Sequence, residues 1–251
     1  MRDHLFRAKV VAVVAAPVAS APVASTTVDR TRALTRTEAR QRQTRIRLRE
    51  VAHALISERG VDATTIQQIT DAADIGFGTF YNYYPTKEAL AGDVLDCLIN
   101  NIGQRNDLVT EALGETDPVR IVANSVRLVI RETVTNPVYH WWFEHLDLLV
   151  ERMRVGFGPF GLRDIQRAVD AGRYHIVGDD HALAWGQLVW MMATGAKGII
   201  TGAHRLDDER AMVEGVLRLM GVDHDRAHTA CDTDLPDAPP LPIDYAFGLD
   251  D

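Results

Sequence analysis

The sequence predicts an all-α protein: an N-terminal three-helix helix-turn-helix head joined to a larger C-terminal helical body. Three observations predict it. Apolar residues recur at i, i+3, i+4 and i+7 over most of the chain. Capping residues and glycines punctuate those runs at helix-length intervals. No run of alternating strands is legible.

The elements follow in order. Leu48, Val51, Ala52, Leu55 and Ile56 form the inner face of a first helix over about 38–59, which Gly60 stops in the left-handed conformation. Thr64-Thr65-Ile66-Gln67 reads as a capping box, with Thr64 as the cap and Gln67 reaching back to it. Ile66, Ile69 and Ala73 face inward from that second helix. Asp74-Ile75-Gly76 is a turn with Ile75 as its plug. A third helix over about 77–84 ends at Pro85, and Thr86 caps a fourth over about 86–101. Beyond it the pattern predicts helices over 118–135, 137–155, 162–171, 180–201 and 207–220, the last closed by Gly221. Gly156, Gly158, Pro159 and Gly161 read as a loop, and the Pro- and Asp-rich tail as loop or extended chain. The expected domains are an arm over 1–35, a head over 36–85, a body over 86–221 and an acidic tail over 222–251.

Composition bounds the function classes. The chain has 251 residues, 46% hydrophobic and 25% charged, with a formal net charge of −8, enough apolar material for a packed core. The charge is unevenly placed. Eight arginines lie between Arg30 and Arg49, opposed by Glu38 and Glu50, whereas acidic residues dominate from Asp207 onward. Because fields are screened over about 8–10 Å, the basic end can attract phosphate while the whole chain is acidic. The other reading of such a run is a solvated arm. Cys97 and Cys231, far apart, suggest no disulfide framework. Residues 1–28 imitate a secretory signal, with Arg2, Arg7 and Lys9 before the apolar 10–16; the favoured reading is a disordered Ala/Val/Pro extension on a cytoplasmic protein. The apolar stretch 182–196 is shorter than the ~20 residues of a membrane span and is interrupted by Gln187, so it reads as a buried or interface helix and no membrane partner is expected.

Residues 64–90, TTIQQITDAADIGFGTFYNYYPTKEAL, are a helix, a tight turn, a short helix and a further capped helix. In a helix-turn-helix the second helix lays its N-terminal residues on base edges in the major groove. Gly76 is an acceptable cap and Gly78 permits close approach to a duplex. Thr79 can hydrogen-bond, Asn82 can reach a base edge, and Phe77 a thymine methyl. Tyr81, Tyr83 and Lys87 suit phosphate oxygens, while Phe80 and Tyr84 are expected to face inward. Arg42, Arg45, Thr64, Thr65 and Gln67 complete the expected DNA-contacting set.

The segment resembles the DNA-binding domain of the tetracycline-repressor (TetR) family. Its pattern appears as Thr65, Ile69, Ala73, Ile75, Gly78, Thr79, Tyr81, Tyr83, Lys87 and Leu90, over roughly residues 40–95. Thr70, Asp74, Gly76 and Tyr84 depart from it, where the family more often has Ala, Gly, Ser and Phe. The resemblance implies a homodimeric, ligand-responsive regulator, more commonly a repressor, bound to palindromic double-stranded operator DNA. It also implies a small-molecule effector in the body, whose binding moves the fourth helix and with it the heads. The last two long helices would pair with those of the partner, for which Gly186, Ala193, Gly195, Met212, Val216 and Leu219 are suited. An aromatic-rich pocket is expected from Trp141, Trp142, Phe143, Trp185, Trp190 and Met191, favouring a hydrophobic guest. No nucleophile–base pairing is legible, and neither cofactor nor metal is expected; His224, His228 and Cys231 have ligand-like chemistry, but a closed site wants four well-placed ligands. Two alternatives stay open: a DNA binder without an effector, and an enzyme with an appended helix-turn-helix head.

Overall fold

The computed structural model describes residues 35–249; the Arg30 and Arg32 end of the basic arm and the signal-like segment 1–28 lie outside the described residues. Residues from Arg36 onward form one compact unit, and no strand occurs among the described residues. No described helix is long and apolar enough to cross a membrane.

The head is α1 (Arg36–Ala63), α2 (Ile66–Ala73) and α3 (Phe77–Phe80). Gly60 takes φ +79 and interrupts α1 where expected, but one further helical turn follows it. The box at the start of α2 is shifted one residue: Thr65 caps, and its partner is Gln68. Thr64 is fully buried, with its hydroxyl donating to the Gly60 carbonyl. Asp74 ends α2 in the left-handed region at φ 56, a conformation that Asp tolerates better than most side chains. Leu48, Ala52, Ile56, Ile69 and Phe80 close the head's core, with Tyr84 beside them.

The link to the body is α4 (Lys87–Leu113), capped by Thr86 and twelve residues longer than the pattern suggested. The body adds α5 (Pro118–Thr135), α6 (His140–Glu144), α7 (Leu146–Gly156), α8 (Gly158–Asp170), α9 (His181–Ile200), α10 (Glu209–Leu219) and α11 (His224–Cys231). Two expectations fail here. The 137–155 helix is broken at His145 into α6 and α7. The glycine-rich loop is helical, and two of its glycines, Gly156 and Gly161, serve packing rather than turning. A Cβ on Gly161 would overlap the Trp185 ring, and one on Gly156 would overlap Ile99. Within the tail His224–Cys231 form α11, which packs on α10; the segment after it is loop or extended chain, as expected, and returns along the body to the head. At the body's centre Glu209, fully buried, accepts from Arg127 at 3.3 Å and Arg131 at 2.7 Å. Both thiols are buried and free; burial is the leading cause that pushes each up to about 11.

Candidate functional site

The head presents one face to solvent. Phe80 is fully buried and Tyr84 nearly so, as expected, and they anchor the short α3. The rest of that helix turns outward: Phe77 is 47% exposed, Tyr81 51% exposed, and Gly78 has open space where a side chain would stand. Phe77 and Tyr81 meet edge to face at 5.7 Å, a contact that holds two apolar groups at one surface. Thr65, Gln67 and Asn82 are exposed, Thr79 and Tyr83 half-buried. The helix itself ends at Phe80, so Tyr81–Tyr83 form a turn rather than a continuation.

The cationic set divides. Arg45 is exposed and Arg42 half-buried on α1, but the next two arginines are engaged within the chain. Arg47 donates to the carbonyls of Ala73 and Ala72 at the end of α2. Arg49 is buried and bonds Asp93, Tyr84 and two tail carbonyls. Lys87, expected on phosphate, instead donates to the carbonyls of Val61, Thr64 and Asp62 at 2.6, 2.7 and 3.3 Å. All three ammonium protons are thus committed to the C-terminal end of α1, where the helix dipole favours a cation. Thr64 is likewise removed from the contact set by burial, and the Gln67 amide is paired with Asp71 at 2.6 Å.

The body holds a cavity of about 60 Å³ between α4, α5, α8 and α9. Its walls are apolar, chiefly Val126, Val129, Phe157, Phe160, Trp185 and Met192. Of the six expected pocket residues, Trp185 alone lines it. Trp142 and Phe143 are core, and Trp141 is turned to the head, donating to Asp62 at 2.9 Å. Trp190 and Met191 face solvent on α9. The cavity's polar groups were not anticipated. The Asn106 side chain is 7% exposed and its Oδ1 has no hydrogen-bond partner. Asp107 and Asp164 line both the cavity and an adjoining polar cleft of about 380 Å³. Arg163 grips Asp107 through two bonds of 2.7 and 2.6 Å and reaches Asp164 at 3.0 Å. Burial pushes the Asp164 carboxyl up, while Arg163 opposes that. The only sequence signal for this cluster was helical spacing, which brings Asp107 to the face of α4 that also carries Gly103.

The expected dimer residues also divide. Ala193 and Val216 are buried within the chain, while Gly186, Gly195, Met212 and Leu219 are half-exposed. A Cβ on Gly195 would press on the Met212 sulfur, so that glycine serves α9–α10 packing inside the chain. Leu183, Trp190 and Met191 are the large exposed apolar groups of α9. His224 and His228 both contact Glu214, at 3.1 and 3.2 Å, with Cys231 buried apart. Among the described residues no group of three or more His, Cys, Asp or Glu is arranged to hold a metal.

Residues 48–94 match the family described as "Bacterial regulatory proteins, tetR family", and residues 117–232 match "Tetracyclin repressor-like, C-terminal domain". The transcriptional repressor KstR2 of Rhodococcus jostii (strain RHA1) is 33% identical over 70 residues, 28% of this chain and 34% of its own. DhaR of Mycobacterium sp. (strain GP1), also a repressor, is 36% identical over 73 residues, 29% of this chain and 36% of its own. The matching segment thus spans about a third of these two relatives. The crystal structure of RolR in complex with resorcinol superposes with a TM-score of 0.73 at 29% identity, covering 80% of this chain and 100% of that one. Two family models match in sequence order, residues 48–94 and then 117–232: the chain belongs to the TetR family of bacterial transcription regulators.

Proposed function

We propose that this protein is a ligand-responsive repressor. It binds a palindromic operator as a homodimer through α3 and is released when a small hydroxylated aromatic molecule occupies the body cavity. The observation that carries the reading is the division of α3: Phe80 anchors it in the head core while Phe77, Gly78 and Tyr81 stand free for a major groove. The DNA-contacting set then becomes Arg42, Arg45, Thr65, Phe77, Gly78, Thr79, Tyr81, Asn82 and Tyr83. Half-sites about 34–36 Å apart, or a multiple, match two such heads. Leu183, Trp190 and Met191, with Met212 and Leu219, supply an apolar face for a second copy; a helix so apolar must be covered. The acidic body and the exposed arginine side of α1 fit a cytoplasmic DNA-binding protein, and no catalytic role is assigned to any residue.

The effector class follows from the cavity. About 60 Å³ is less than the roughly 150 Å³ that holds a benzene ring, so the cavity must widen to take even one small ring and excludes a long acyl chain. Its polar groups are acceptors: Asn106 Oδ1 and the carboxylates of Asp107 and Asp164. They call for a guest that donates, as phenolic hydroxyls do. RolR, which carries resorcinol in its complex, supports the same class. A ligand shifts the operator equilibrium only by its differential affinity for two conformations; hydroxyls competing with Arg163 for Asp107 would move α8 against α4, the helix that carries the head.

The test is operator binding by fluorescence anisotropy with a palindrome from the upstream region, titrated with resorcinol. Wild type should bind the duplex and lose affinity as resorcinol is added. Asp164→Asn should bind DNA as wild type does but need about tenfold more resorcinol, the value of one charge-assisted hydrogen bond. Binding without any response would leave a DNA binder with no such effector. No binding at low salt would remove the repressor reading altogether.

A further inference from the structure

The segment after α11 does not wander. Its start is held at the body's centre, where Arg127, paired with Glu209, donates to the Thr233 carbonyl at 2.7 Å. Its middle is held by Asn101 on α4, whose amide donates to the carbonyls of Leu241 and Pro242, both at 3.1 Å. Its end is held by the head. Arg49 on α1 donates to the carbonyls of Tyr245 and Phe247 at 3.0 and 2.8 Å, and the Tyr245 hydroxyl meets His53 Nδ1 at 2.6 Å. The same guanidinium grips Asp93 on α4 at 2.7 Å. One arginine therefore joins the first head helix, the linking helix and the tail.

Lengths agree with a taut run. Asp93 and Asn101 lie eight residues apart on α4, about 12 Å at 1.5 Å per residue. The tail covers that interval, from Leu241 to Tyr245, in four residues, about 12 Å at polyproline rise. Pro236, Pro239, Pro240 and Pro242 occupy the stretch leading to it, and proline-rich chain is a semi-rigid spacer rather than a coil. Ile243 packs on the core between the anchors.

We propose that residues 233–249 are a coupling strap. It is a stiff tie from the body to the head that fixes the angle between α1 and α4 and so sets the separation of the two DNA-reading helices in a dimer. The proposal rests on the operator-binding dimer for its consequence, but not for its physical content. Besides the strap, the head is joined to the body by α4 itself, by the Pro137–Tyr139 turn packed against α1, and by the Trp141–Asp62 contact at the far end of α1. The strap adds to these a tie at Arg49 and His53, in the middle of α1.

Two variants test it: a chain ending at Pro240, and the full-length double variant Asn101→Ala with Tyr245→Phe, which removes the middle anchor and the Tyr245–His53 bond but leaves Arg49 on the Tyr245 and Phe247 carbonyls. The first readout is amide exchange in α1 and in the first turns of α4, which needs no DNA. Both variants should exchange there about tenfold faster, with α9 and α10 unchanged, as expected of local opening. The second readout is affinity for synthetic palindromes whose half-sites are moved apart by one base pair at a time. Wild type should lose about tenfold per step from its best spacing and the variants about threefold or less, because a loosened head tolerates displaced grooves. Unaltered exchange in the full-length variant, or a spacing profile identical to wild type, overturns the strap. Wild type that binds no palindrome sinks the operator reading, and the exchange experiment alone then decides the strap. Should the shortened chain fail to fold, the full-length variant carries both readouts.

Discussion

The head and the body use their cations differently. In the head, Lys87 and Arg47 donate to backbone carbonyls at helix ends, and Arg49 divides its bonds between Asp93, Tyr84 and tail carbonyls. In the body, arginines meet carboxylates: Arg127 and Arg131 on Glu209, Arg163 on Asp107 and Asp164, Arg152 on Asp96. A backbone carbonyl is held in place by the helix that carries it, so the head's cations lock one geometry. A carboxylate accepts from whatever donor arrives, so the body's pairs can be exchanged against a guest. A rigid reader and a re-pairable sensor follow from that one chemical difference.

The comparison breaks most visibly at Glu209. Glu209→Ala strands Arg127 without its partner in the interior, and removing one member of a buried pair costs about 3–5 kcal/mol. Chemical denaturation should show that loss in the body transition. A loss below about 1 kcal/mol would mean that the pair is no better than a surface one. Lys87→Ala is the head's counterpart and smaller. Hydrogen bonds from a charged donor are worth about 1.5–3 kcal/mol, so the head should melt earlier while the salt dependence of operator binding keeps its slope. A slope reduced by about one would return Lys87 to the phosphate contacts.

How much of this was legible depends on what fixed each feature. The head was readable because its signals are local: the Thr86 cap, the Asp74 turn and the Gly78-Thr79 start each lie within one turn of what they control. The box at Thr64-Thr65 slipped by one residue because two adjacent threonines and two adjacent glutamines offer the same chemistry in either register. The glycines at 156–161 were misread because a glycine that admits Ile99 or Trp185 against a helix looks, in sequence, like one that turns a chain. The cavity was hidden for a different reason. Asn106, Asp164 and Trp185 come from three helices, and aromatic density, which drew attention to 139–143, marks core as readily as pocket. The run of arginines concealed that Arg49, unlike the exposed Arg45, is buried against α4 and the tail.

The smallest expected effect concerns the strap's contact with α1 at His53. Burial lowers His53 from its ordinary 6.5, so the unfolded or undocked chain binds a proton that the docked one resists. Docking stability from this group is therefore complete above about 6.5 and is lost as pH falls from there toward the lowered value. Amide exchange of α1 compared at pH 7 and pH 5.5, after correction for intrinsic rates, should show slightly more opening at the lower value, and the difference should vanish in His53→Gln.

The two sequestered thiols give the protein a built-in pair of clocks. Held at about 11, neither supplies appreciable thiolate at neutral pH, so oxidants and alkylating agents find nothing to attack until the chain opens. Cys97 sits on the linking helix beside the arginine that ties head to tail, and Cys231 on the last helix of the body. Mass spectrometry of a slow alkylation would therefore time the loosening of the two regions separately, in one unlabelled sample.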